Sequence, residues 1–323
     1  MGSNEEYYID NVKVIRHKDA LHRLRNEVYD VVVSHSPNMR AHVPLLKRHF
    51  SGPIVFFMHG SESMSINNDY PKPYSFAKES IWKRIFRDIY DKAKFVVLRR
   101  FILSRGDSIY LIFVSEWMKE VFSKNILDVD YFGVNHSIIN NSLGSRFLEC
   151  AWRSPESPKA DFVTLRRLDD SKYCIDLIVN SALSNPDKTY HIYGKGQYFK
   201  NYQKPDNISH YDFHINNDDV PALLNQYRCA LMPTRCDAQG VMVCEMAAYG
   251  MPVITSDIEV SHEMLTGFGN VKLLGLNEFS DFIDFDALDF SCDLAFNRER
   301  FSRDATVGKE MARIKEFVGF KKS

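Results

Sequence analysis

The 323-residue sequence predicts an α/β fold with parallel sheets, built from two successive series of strand–helix units. Three observations carry that prediction. Short β-branched runs recur along the chain, each followed by an amphipathic segment of helix length, the pattern of βαβ units. An irregular polar stretch, Asn140–Ala160 with Pro155 and Pro158, interrupts the series and reads as the connection between two domains. The composition, 45% apolar and 13% aromatic, supplies enough apolar material for cores and excludes a disordered or collagen-like chain.

In the first series, Val31–Val33 reads as a strand and Ala41–Phe50 as its helix. Ile54–Met58 is the next strand, and Ile109–Val114 leads into the helix Ser115–Lys124. In the second series, Phe162–Leu165 precedes the helix Cys174–Leu183, and Tyr190–Tyr193 ends at Gly194. Cys229–Met232 then leads to a helix containing Glu245–Tyr249, and Pro252–Ile254 follows as a strand.

Charge narrows the partners. Forty-one basic residues against 42 acidic ones give a net charge of −1, which argues against nucleic acid. The halves differ, with +4 over residues 1–150 and −5 over the remainder. The six cysteines (Cys150, Cys174, Cys229, Cys236, Cys244, Cys292) contain no CxxC pair and read as reduced thiols. No apolar run approaches the ~18 residues of a spanning helix and no signal peptide opens the chain, so a cytoplasmic location is expected.

In parallel sheets of this kind, ligands bind beyond the carboxyl ends of the strands. The residues there include His59-Gly60, Ser115-Glu116, Arg166-Arg167, Gly194-Lys195-Gly196 and the loop Pro233–Gly240. The richest segment runs from Met232 through Asp237, Gln239, Gly240 and Glu245 to Gly250-Met251-Pro252. Gly240 allows close backbone approach, and the amides of Val241 and Met242 open a helix N-terminus, a ready site for an anion. Asp237 and Glu245 flank that site with two carboxylates, good acceptors for hydroxyls.

This segment resembles the E-x7-E signature of the retaining glycosyltransferases of family 4, with Asp237 where the first acid is usually Glu. The resemblance implies a GT-B enzyme of two Rossmann-like domains whose parallel sheets face a central cleft. The N-terminal domain would span residues 1–140, the nucleotide-sugar-binding domain 141–296, and a closing helix in 297–323 would pack back on the first domain. The first acid of the family meets the donor sugar and the second the nucleotide ribose. Leu165–Lys172 resembles the family's "GRL-xxx-K", with Arg166 where glycine is usual, so Arg167 and Lys172 are expected to neutralise the diphosphate leaving group. Gly194-Lys195-Gly196 is similar to the family's "GxG", and Asn207–Tyr211 falls where its base-contacting loop lies. Phe57-Met58-His59-Gly60 resembles its "HG", which brings His59 across the cleft to the donor sugar.

The expected catalytic residues are therefore Asp237, His59, Arg167 and Lys172. The expected donor-binding residues are Glu245, Gln239, Gly240, Val241, Met242 and Gly194. No metal and no cofactor beyond the nucleotide sugar are expected. The reaction implied moves a hexosyl group, with retained configuration, from a UDP- or GDP-sugar to a glycan or lipid-linked acceptor in surface polysaccharide or glycoconjugate synthesis. The opening residues Glu5–Val14 resemble a segment normally further into the fold, so the usual N-terminal β-α-β segment is expected to be missing. That leaves two alternatives open: a nucleotide-binding subunit that needs a partner, and a GT-B nucleotide-sugar epimerase.

Lys72–Arg105 carries ten cations and three acids interleaved with aromatics. It reads either as a face for peripheral contact with the inner side of the cell membrane or as a solvated helix pair with core aromatics.

Overall fold

In the computed structural model, residues 7–9, 11–290 and 298–319 are described. Cys292 lies outside them. The strands are β1 (Tyr7–Ile9), β2 (Val12–Val14), β3 (Val32–His35), β4 (Ile54–Met58), β5 (Ile109–Phe113), β6 (His136–Ile138), β7 (Ala160–Leu165), β8 (Tyr190–Tyr193), β9 (Ile208–Tyr211), β10 (Tyr227–Leu231), β11 (Val253–Ser256) and β12 (Val271–Leu274). The helices are α1 (His17–Asn26), α2 (His42–His49), α3 (Ile81–Arg105), α4 (Glu116–Asn125), α5 (Ser145–Glu149), α6 (Ile175–Ser184), α7 (Tyr198–Asn201), α8 (Val220–Leu224), α9 (Val241–Tyr249), α10 (Glu259–Leu265) and α11 (Lys309–Gly319).

Two parallel sheets form the body. The first has the order β3-β4-β5-β6 and the second β12-β11-β10-β7-β8-β9, while β1 and β2 pair as a separate antiparallel hairpin. Every residue of β4 is buried, as expected for a parallel strand covered on both faces, which is why Ile54–Met58 is a continuous apolar run. Helix starts follow local chemistry. The Ser80 side chain accepts from the Lys83 amide at the start of α3, and Ser115 accepts from Met118 at the start of α4.

Leu98, Phe101 and Ile102 of α3 and Met118 and Phe122 of α4 pack on one face of the first sheet. Phe317 of α11 packs on Val55, Phe57, Ile112 and Ile139 of the other face, so the end of the chain returns to the first sheet. In the second sheet, α9 is apolar except for Glu245 and buried at Val243, Cys244 and Met246–Tyr249. It stops at Gly250 in the left-handed region (φ 90°), followed by Pro252.

Some elements differ from expectation. The stretch Lys72–Arg105 contains a single 25-residue helix, α3, and not a pair. Its aromatics Trp82 and Phe86 face solvent, each 68% exposed, and are not core. No helix among the described residues is long and apolar enough to cross a membrane.

Candidate functional site between the two sheets

The site is assembled from strand ends. The loops after β7 and β10 are stitched together first: the Lys172 carbonyl accepts from the Arg235 amide at 2.9 Å and from the Thr234 hydroxyl at 3.1 Å. The Arg235 guanidinium grips the Asp176 carboxylate with two bonds, 2.9 and 2.6 Å, and donates to the Ser171 carbonyl at 2.8 Å. Lys172 is thereby held within electrostatic reach of Asp237. Burial pushes the Lys172 ammonium pKa down, but Tyr173, Asp237 and Asp170 outweigh it and leave the pKa raised.

Gly194 explains why the glycine after β8 cannot be replaced. Its φ is +149°, and a Cβ there would lie 1.8 Å from the Arg166 carbonyl oxygen. Beside it lies a cavity of about 240 Å³, lined by Arg166, Arg167, Tyr173, Gly194, Phe213 and Met242, among others. Gly240 has φ +70° and stands at the N-terminus of α9, so the amides there open beside Met242.

The two arginines differ in a way the motif does not indicate. Arg167 is exposed at the rim of the cavity. Arg166 is only 9% exposed, lies over the Tyr173 ring at 5.1 Å, and leaves Nε and Nη2 without a hydrogen-bond partner. Burial lowers its pKa, and Asp237 opposes that shift. A buried guanidinium with two unused donors is the strongest anion-seeking group in the cavity.

Three strand ends of the first half meet the acid loop. Ser115 donates to the Ala238 carbonyl at 2.6 Å, and a Cβ on Gly60 would lie 4.0 Å from Ala238. Asn141 donates its backbone and side-chain N–H groups to the Gln239 side-chain oxygen Oε1 at 2.7 and 2.8 Å, and Gln239 Nε2 donates back to the Asn141 backbone carbonyl at 3.1 Å. Gln239 is thus buried with both ends of its side chain occupied. That side chain, expected to bind the donor, here clasps the two halves together. Glu263 of α10 adds a further tie by accepting from the Glu116 and Trp117 amides at the start of α4. Glu245 is half-buried; it accepts from the Gly144 amide at 3.1 Å, and burial raises its pKa.

His59 is held by a residue that the motif did not reveal. The buried Glu62 accepts from the His59 and Gly60 amides, fixing the turn after β4. His35, at the end of β3, stacks on Phe57 with ring centroids 4.4 Å apart, and its Nδ1 lies 3.0 Å from His59 Nε2. Desolvation lowers both pKa values, and the charge of His59 lowers that of His35 further. An N–H···N bond needs one free lone pair, so it is lost when both rings are cationic. Because the folded values fall below the reference of 6.5, the unfolded chain binds more protons in that window, and stability rises with pH through it. Acidification between about pH 7 and pH 5 is therefore expected to lower the melting temperature. In thermal melts across that range, His35→Phe, which keeps the stack on Phe57, should show a smaller fall than the native chain.

The expected base-contacting segment is placed otherwise. Ile208–Tyr211 is the edge strand β9, and Asn207 donates to the carbonyls of Ala182, Asn185 and Lys188. The loop after β9 lines the cavity instead, through Phe213, His214 and Ile215. Phe213 is 48% exposed and lies edge-on to the stacked Tyr193–Tyr211 pair, an aromatic wall suited to a planar ring.

Residues 163–275, which contain all of these second-half loops, match the family described as glycosyl transferases group 1. The chain is 26% identical over 188 residues to an uncharacterized 41.2 kDa protein in the cps region of Klebsiella pneumoniae, over 54% of this chain and 51% of that one. It thus spans about half the length of that curated relative. In structure it is similar to sucrose-phosphate synthase from Thermosynechococcus elongatus, with a TM-score of 0.67 at 13% identity, covering 95% of this chain and 77% of that one. It is also similar to Anabaena HepE, solved in complex with UDP and glucose, with a TM-score of 0.60 at 12% identity over 94% and 81% of the two chains. These likenesses give the fold, GT-B, with two parallel sheets facing a common cleft.

Proposed function

We propose that the chain is a retaining glycosyltransferase that moves a hexosyl group from a UDP- or GDP-sugar to a glycan or lipid-linked acceptor in surface polysaccharide or glycoconjugate synthesis. One observation carries the reading. The Asp237–Glu245 segment, with its open helix N-terminus, lies beside two desolvated cations, Arg166 and Lys172, at the ends of adjacent parallel strands. The family match over residues 163–275 and the presence of UDP in the HepE complex support the same chemistry.

As the bond between the sugar and the diphosphate lengthens, negative charge grows on the leaving phosphate oxygens. Arg166, Lys172 and the amides opening α9 are oriented before the reaction, so they stabilise that charge without reorganising. Asp237 accepts from a donor-sugar hydroxyl, Glu245 from the ribose hydroxyls, and His59 approaches the sugar from the first half. The clasps at Ser115, Gln239 and Glu263 hold the halves together over the donor, which excludes water from the labile sugar.

Thermal melts with UDP, GDP, ADP and dTDP test the donor site. A true ligand at ~100-fold over its Kd adds about 2.7 kcal/mol of stability. A rise with one uridine or guanosine nucleotide is expected, followed by mass-detected transfer from the matching sugar donor and an α or β product that keeps the donor's configuration. No rise with any nucleotide overturns the reading. Binding without transfer to any acceptor favours a subunit that needs a partner.

A further inference from the structure

We propose that the outward face of α3 docks on the surface of an anionic lipid bilayer. The helix is 25 residues long, so about 37 Å. Its buried residues, Asp91, Lys94, Leu98, Phe101 and Ile102, lie on one side and none precedes its eleventh residue. The side turned away from the protein should be polar in a surface helix. Here it carries Trp82, Ile85, Phe86, Ile89, Val96 and Leu103, between 41% and 68% exposed, at the three-, four- and seven-residue spacings of a single stripe. The first two turns contribute almost nothing to the core; Ile81 through Phe86 are all exposed, so this part of the helix projects from the body.

Charge decides the occupant. The exposed cations Lys92 and Arg99 border the stripe and Arg100 lies within it, while Lys83 and Arg84 stand round the projecting first turns, and α3 as a whole carries eight cations against two acids. Both acids are already engaged: Asp91 pairs with Lys94 at 3.0 Å and accepts from the Ile66 amide, and Asp88 accepts from Asn67. A second copy packed on the same face would set these cations against each other. A nucleic acid would satisfy the cations and leave Ile85, Ile89 and Trp82 against phosphates. An anionic bilayer satisfies both, since apolar side chains enter the acyl boundary while the cations stay at the headgroups. The buried side of α3 also holds the turn after β4, through Lys94 donating to the Ser61 and Met64 carbonyls at 2.8 Å. The turn that follows His59 is thus fixed to the side of α3 opposite the stripe, so a docked α3 would hold the first sheet directly behind the lipid surface. The docking itself does not depend on the glycosyltransferase reading.

The test is flotation of the intact chain with phosphatidylcholine vesicles, with and without phosphatidylglycerol, at low and high salt. Flotation only with the anionic vesicles, weakened by salt, is expected. Trp82→Glu combined with Phe86→Glu should reduce it at least ~10-fold, and Lys83→Glu with Arg84→Glu likewise. All four side chains are exposed, so unchanged melting and nucleotide response would confirm that fold and donor site survive. Failure to float with anionic vesicles at low salt overturns the proposal, as does flotation indifferent to both variants. A dimer that dissociates on Trp82→Glu would also overturn it and make this face an interface between copies.

Discussion

Arg166→Ala is expected to lower kcat/KM for sugar transfer by roughly 10²–10³, the cost of removing one preorganised donor from developing charge, while leaving the empty protein as stable as before or more so. The two effects have one origin. In the empty site the Arg166 guanidinium is desolvated, and neither Nε nor Nη2 finds a protein acceptor. Asp237 compensates part of the charge through space, and the Tyr173 ring lies beneath it. Such a group costs stability until an anion arrives, and its unspent donors are then available to the diphosphate. Arg167→Ala should change kcat/KM less than ~10-fold, because an exposed cation at the rim is screened by solvent. Steady-state kinetics and thermal melts on the two variants separate the alternatives. If Arg167→Ala is the damaging change and Arg166→Ala is not, the motif, with glycine at position 166, describes the site better than the burial does.

That contrast indicates how much could be read from sequence. The parallel strand β4 was legible to the residue, because full burial on both faces writes itself as an unbroken apolar run, and β8 because its aromatic and β-branched residues stop at Gly194. The loop from Asp237 to Gly250 was legible because helix-start and helix-stop chemistry is local. Short edge strands were not: β6, β9 and β12 have three or four residues each, and such strands owe their state to the neighbour they pair with. The same limit applies within the site. Which of two adjacent arginines points inward depends on the pleat of β7 and on Gly194 pressing against the Arg166 carbonyl, both tertiary facts. Gln239 looked like a ligand because of its place beside Gly240, yet its partner Asn141 is 98 residues away. His35 was legible as a strand-end residue, like His59, but its contact with His59 was not, because it depends on the pairing of β3 with β4. The exposure of Trp82 and Phe86 was one of two readings the sequence left open, because an aromatic at helical spacing is ordinarily core while the interleaved cations favour a surface face.

Glu245→Ala is expected to weaken UDP or GDP binding by about 1–3 kcal/mol, five- to 150-fold, by removing the acceptor for two ribose hydroxyls. Loss of affinity alone would not establish that contact, because Glu245 also accepts from the Gly144 amide and its removal frees the connection between the halves. A second substitution on the ligand resolves this. The native chain should bind the 2′-deoxy nucleotide more weakly than the ribonucleotide, and Glu245→Ala should bind the two alike, since the contact can be lost only once. Glu245→Gln, which keeps an acceptor oxygen, should fall between. The pH dependence has a definite sign. Burial raises the Glu245 pKa, and the carboxylate is the better acceptor. Affinity for the ribonucleotide should therefore fall on acidification at a higher pH than the ordinary 4.5 of the free side chain, and the deoxy nucleotide should fall less. Isothermal titration with both ligands measures all of these quantities. Undiminished discrimination against the 2′-deoxy nucleotide in Glu245→Ala would remove Glu245 from the ribose and leave it only as the tie to Gly144.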